Sequence, residues 1–109
     1  MKTLKYFVVI PTWPRVNKAR KIRPEWCCFV HPNKDKGLDV VREQNKIKRQ
    51  IEKLQFIGIE VCLKVRPSLR QIKASYEAGA DAVSFCSHKT TELRKAKSFA
   101  KKLGLDVHP

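Results

Sequence analysis

The feature that most constrains this chain is the regular alternation of short apolar runs with longer stretches of helical period. The runs cover residues 6–10, 26–30, 59–65, 82–85 and 105–107. Most are nearly continuous in apolar residues, which suits parallel strands covered by helices on at least one face. The segments between them are long enough to cross over and return, so successive strands are expected to pair in parallel through right-handed connections.

Local punctuation supports the helices. Asp39 is placed to cap a helix whose Val40, Ile47, Ile51 and Leu54 fall on one face, and Gly58 ends it. Ser68 is placed to cap a helix from Leu69 that stops at Gly79, and Thr90 or Thr91 to begin one with a buried stripe of Leu93, Ala96, Phe99, Ala100 and Leu103 before Gly104. Between residues 12 and 23, Pro14 is acceptable in a first turn, and the helix after it is expected to be short. The count is about four βα units and a final strand, half of a (β/α)₈ barrel, whose full form takes about 250 residues. The expected fold is therefore α/β, a partial (half) TIM-type βα barrel, with residues 1–109 as a single domain. Such an open sheet exposes unpaired backbone at both edges and leaves its inner face bare, so a protein partner or a second copy is expected to cover it.

Charge narrows the function classes. Lys and Arg number 24 against 10 Asp and Glu, a net charge of +14. This exceeds what solubility requires and attracts polyanions, RNA foremost. The plain alternative is a Lys-rich composition bias on solvated helix faces. The basic residues form three groups on helices or connections: Arg15, Lys18, Arg20, Lys21 and Arg23; Lys46, Lys48, Arg49 and Lys53; Arg94, Lys95, Lys97, Lys101 and Lys102. Helices form the outer layer of this architecture, so these fourteen are the expected nucleic-acid or phosphate contacts. The aromatic residues follow no stacking pattern along the sequence, and no nucleic-acid module is recognisable.

Cysteines stand at 27, 28, 62 and 86, a spacing that makes no zinc site, and no metal or cofactor is expected. Cys27 and Cys28, adjacent on a strand, would face opposite ways, and buried reduced thiols in an intracellular, reducing compartment are expected. No apolar stretch approaches the length of a membrane span, and the run at 6–10 is too short for a secretory signal.

The blocks Arg23-Pro24-Glu25-Trp26-Cys27-Cys28-Phe29-Val30, Gly37-Leu38-Asp39-Val40, Gly58-Ile59-Glu60-Val61-Cys62-Leu63, Gln71-Ile72-Lys73-Ala74, Glu77-Ala78-Gly79-Ala80 and Phe99-Ala100-Lys101-Lys102-Leu103-Gly104-Leu105-Asp106-Val107 follow in an order and spacing that resembles the pyridoxine 5′-phosphate synthase family. The resemblance covers nearly the whole chain. It implies the third barrel strand through the start of the seventh, in a family that condenses 1-deoxy-D-xylulose 5-phosphate with an aminoacetone phosphate, using carboxylate and histidine acid/base groups at strand C-termini.

The departures bear on chemistry. Where the resemblance implies a catalytic Glu inside a Leu-Glu-Met-Ala-like run, this chain has Val8 in Phe7-Val8-Val9-Ile10. Where it implies Glu-x-His-Thr-Gly, the chain reads Ser84-Phe85-Cys86-Ser87-His88. The loop before Gly37 is shortened to His31-Pro32-Asn33-Lys34-Asp35-Lys36, and the chain stops at Pro109, before the Gly-His-Gly that would carry another histidine. No catalytic residue carries over. His31 and His88 follow strands, where a histidine could bind phosphate or move protons, but ordinary loop histidines are expected. Cys86, beside Ser87, His88 and Lys89, lacks an oriented base and is expected to be a small buried replacement. The leading expectation is a non-catalytic, basic structural or RNA-binding component of a larger, ribosome-like assembly. The alternative is a reduced synthase subunit active only with a partner.

Overall fold

The computed structural model describes residues 4–86 and 90–109. The chain forms β1 (Tyr6–Val9), α1 (Trp13–Ile22), β2 (Trp26–Phe29), α2 (Val40–Gln55), β3 (Glu60–Val65), α3 (Leu69–Glu77), β4 (Ala82–Phe85), α4 (Thr90–Lys102) and β5 (Asp106–Val107). The strands lie in the order β1-β2-β3-β4-β5, each parallel to the next. This is the expected α/β architecture, a partial βα barrel wall.

The helices end where local chemistry dictates. Asp39 accepts from the Arg42 backbone N–H at 3.2 Å and so caps α2 as expected. At the other end Gly58 takes φ +84, and the Ile59 N–H reaches back to the Leu54 carbonyl at 3.1 Å, which satisfies an otherwise orphaned acceptor. Ser68 occupies the cap position of α3 but its side chain makes no capping hydrogen bond. The helix expected to be short here, α1, runs for 10 residues with Pro14 in its first turn and stops at Arg23, which takes a left-handed φ of 54.

One sheet face packs on the helices. Cys27, Phe29, Val61, Leu63, Val65 and Val83 join Val16, Ile47, Ile51, Leu54, Ile72, Ala96 and Ala100 in the core. Of the expected stripe, Ala96 and Ala100 in α4 are fully buried, Phe99 and Leu103, the latter just past the helix end, pack partly buried against the core, and Leu93 is half-buried. Strand alternation sends Tyr6, Val8, Trp26, Cys28, Cys62, Lys64, Ala82 and Ser84 to the other, inner face.

That inner face is curled, not flat. Five strands at about 4.8 Å spacing would hold β1 and β5 about 19 Å apart in a flat sheet. Instead the His108 ring, just past β5, meets Tyr6 of β1 edge-on at 5.9 Å and Trp26 of β2 at 4.2 Å. These three rings close over the lower part of the inner face, and Cys62 and Ala82 are buried there. The expectation of a bare inner face is thus corrected in part: Val8, at 60% exposure, remains open, whereas Cys62 is buried and the Tyr6, Trp26 and His108 rings meet across the curled sheet.

Candidate functional site

Two places could carry function, the mouth of the sheet and the outer helical layer. At the mouth, the C-terminal ends of β1, β2 and β3 surround a depression of about 390 Å³ lined by Val8, Ile10, Val30, His31, Pro32, Lys34, Lys36 and Lys64. Lys64 gets there because β3 alternates: Leu63 and Val65 go to the core and leave Lys64 on the inner face. The lining holds three ammonium groups and no carboxylate. Such a site attracts anions, and among the described residues its lining holds no carboxylate to stand beside His31.

His31 is fixed by its own loop. Its Nδ1 accepts from the Asn33 backbone N–H at 2.9 Å, and Asn33 Oδ1 in turn accepts from the Asp35 N–H at 3.0 Å. This turn chemistry occupies one ring nitrogen and supports the reading of His31 as a loop residue. His88, Ser87 and Lys89 lie outside the described residues.

The thiols depart from expectation in part. All four are free; Cys27 and Cys62 are buried, but Cys28 and Cys86 are only half-buried, because both stand on or beside the open part of the inner face. Cys27 and Cys28 do face opposite ways, Cys27 into the core and Cys28 into register with Cys62. Burial pushes the Cys27 thiol up to about 12. Cys28 is held below the ordinary thiol range by a hydrogen bond from Cys62, against the opposing effect of burial. Cys62, as the donor of that bond and a buried group, is raised.

All fourteen basic residues singled out from the sequence are exposed on or beside the helical layer. The fold brings the first two groups together and leaves the third apart. Arg20, Arg49 and Lys53 line one groove of about 440 Å³ between α1 and α2, with Trp13, Glu52 and Phe56. Arg20 also lines the adjoining groove of about 480 Å³ with Asn17, Lys21, Arg23 and Ile57. Arg15, Lys18, Lys46 and Lys48 line neither groove. The α4 group, Arg94, Lys95, Lys97, Lys101 and Lys102, sits beyond α3 on a separate part of the wall.

Sequence reasoning missed the aromatic share of this groove. Phe56 is 89% exposed because it falls two positions past Leu54, about 200° around the helix from the buried stripe, and that offset is readable from the sequence. Trp13 is 39% exposed and reaches the same groove from the start of α1. Their meeting depends on the packing of α1 against α2, which no linear pattern announces. Lys64 was missed as well, hidden in an apolar run, and the parity of β3 would have found it.

Residues 9–109 match the family of the pyridoxal phosphate biosynthesis protein PdxJ. The chain belongs to that family. Among the relatives of the PdxJ family, the pyridoxine 5′-phosphate synthase of Bdellovibrio bacteriovorus is 41% identical over 110 aligned residues, which take in 85% of this chain and 46% of that protein. The pyridoxine 5′-phosphate synthase of Desulfatibacillum aliphaticivorans is 35% identical over 104, covering 83% of this chain and 44% of that one. That of Coxiella burnetii is 32% identical over 108, with 83% and 45% covered. The chain thus spans about half the length of the curated relatives it matches. Within the PdxJ frame, the open position at the mouth is Val8, in register with Cys28.

Proposed function

We propose that this PdxJ-family chain does not carry out pyridoxine 5′-phosphate synthesis and works in a reducing compartment as a basic structural or RNA-binding component of a larger assembly, such as a ribosome-like particle. One observation carries the reading, the distribution of ionisable groups. Among the described residues, the upper inner face and its mouth present Val8, Ile10, Cys28, Val30, His31, Lys64, Ser84 and Cys86, whereas the inner-face carboxylates Glu60 and Asp106 stand at the first residues of β3 and β5, the opposite end from barrel chemistry. The cations instead project outward from the helices, where Coulomb attraction to a phosphate backbone needs no exact placement. The exposed Val8 and Tyr6 on edge strand β1 support a protein partner or second copy across the open sheet.

The test is RNA affinity against salt. Five cations line the two adjoining grooves, Arg20, Lys21, Arg23, Arg49 and Lys53. Neutralising about five phosphates of a single strand lowers affinity about a hundredfold between about 50 and about 200 mM salt. Absence of binding, or an affinity indifferent to salt, contradicts the proposal.

A second reading, a reduced synthase subunit completed by another chain, is favoured by one specific observation: the cationic mouth with Lys34, Lys36 and Lys64 suits phosphorylated ligands. Its test is reconstitution with co-purifying chains, in which product formation supports it and continued silence of every combination removes it.

A further inference from the structure

We infer that the groove between α1 and α2 is a binding site for unpaired RNA, in which bases stack on Phe56 and Trp13 while Arg20, Arg49 and Lys53 hold the phosphates. This rests on the RNA-binding reading above and narrows it to one site and one form of RNA.

Arg49, Lys53 and Phe56 are spaced four and three residues apart, so they share one face of α2, and Trp13 and Arg20, seven apart, share one face of α1. The two faces meet in a single concavity of about 440 Å³. The two helices are tied together by a buried hydrogen bond from Gln50 Nε2 on α2 to the Pro11 carbonyl just before α1, at 2.9 Å. The seven-residue span from Trp13 to Arg20 is about 10 Å long. That matches about three stacked nucleotides at about 3.4 Å each.

Charge and exposure then select the occupant. The groove carries three cations against one carboxylate, Glu52, and the adjoining groove adds Lys21 and Arg23. A phosphate backbone satisfies that excess. The rings need something else: Phe56 is 89% and Trp13 39% exposed, and an aromatic face in water gains from covering by a second flat surface. A duplex hides its base faces inside its own stack, whereas an unpaired strand offers one at every nucleotide. Cations alone would fit either form; cations with open rings fit the single strand.

The experiment compares the full chain and its variants for binding to a labelled oligouridine and to an A·U duplex of equal length, followed by fluorescence anisotropy across a salt series. The oligouridine is expected to bind more tightly than the duplex. F56A and W13A are each expected to weaken it by about tenfold with the salt slope unchanged, because stacking releases no counterions. R20Q and R49Q are expected to flatten the slope. Both rings are exposed, so their removal leaves the core intact, and circular dichroism of each variant checks this. Equal affinity for the duplex, or unchanged oligouridine affinity in both F56A and W13A, overturns the inference while leaving the broader reading standing. Failure of the unaltered chain to bind any RNA, including capture of acidic protein alone, overturns both.

Discussion

The Gln71 side-chain amide donates to Asp39 Oδ1 at 3.0 Å, tying α3 to the N-terminus of α2. The same amide offers its Oε1 to the Val40 N–H at 2.8 Å and to the Val41 N–H at 3.3 Å. Helix α2 is therefore capped by its own Asp39 and by a residue 32 positions along the chain. The arrangement converts a local stop signal into a contact between neighbouring βα units.

Removal of either partner should loosen that joint. Asp39→Ala and Gln71→Ala are each expected to cost about 1 kcal/mol, with a double variant costing less than the sum. Denaturant unfolding with a shared slope checks this. The Asp39 carboxyl is held below the ordinary range, first by the Gln71 hydrogen bond and then by the Arg42 N–H. A carboxylate lowered in the folded state stabilises above its unfolded value and loses that contribution as pH falls through the folded one. Stability of the unaltered chain should thus decline on acidification below the ordinary carboxyl range, and less steeply in Gln71→Ala. An identical pH profile in both would contradict the assignment.

The thiols give a reactivity order. Cys28 accepts from Cys62 on the adjacent strand and is half-buried, whereas Cys27 and Cys62 are buried and raised. Alkylation near neutral pH followed by peptide mapping is expected to label Cys28 before Cys27 and Cys62. Cys62→Ala should slow labelling at Cys28 by removing the donor that lowers it. Faster labelling of Cys62 than of Cys28 in the unaltered chain would refute this order.

Gly37 is a steric requirement of the loop leading to α2. A Cβ there would lie 2.5 Å from the Arg66 backbone N and 2.8 Å from the Val65 carbonyl carbon. Because Leu38 N–H bonds the Lys64 carbonyl at 2.9 Å, the loop cannot swing away without losing that contact. Gly37→Ala is expected to destabilise by about 1–3 kcal/mol through backbone displacement. A midpoint of denaturation equal to that of the unaltered chain would show that the loop yields freely.

The sheet and helices were legible because each βα unit carries its own signals: an apolar run, a cap and a helical stripe such as Val40, Ile47, Ile51 and Leu54, all buried in the fold. Boundaries slipped by a residue at Ile10 and Val30, where apolar character continues past the last paired position, and at Ile59 and Leu105, where it begins before the first. The closure of the inner face by Tyr6, Trp26 and His108 was not legible, since it arises from sheet curvature joining residues 102 positions apart. The basic residues were readable one by one. Their merger with Trp13 and Phe56 into one groove was not, because it is a property of how two helices pack.

Among the described residues, the mouth of the sheet in this PdxJ-family chain has no carboxylate in its lining, where barrel chemistry places its acid/base groups. Formation of pyridoxine 5′-phosphate from 1-deoxy-D-xylulose 5-phosphate and an aminoacetone phosphate, followed by mass spectrometry with the purified chain, tests the proposed lack of synthesis most directly. Product is expected at the uncatalysed background at every protein concentration. Product that rises in proportion to added chain, and disappears when the chain is unfolded, would contradict it.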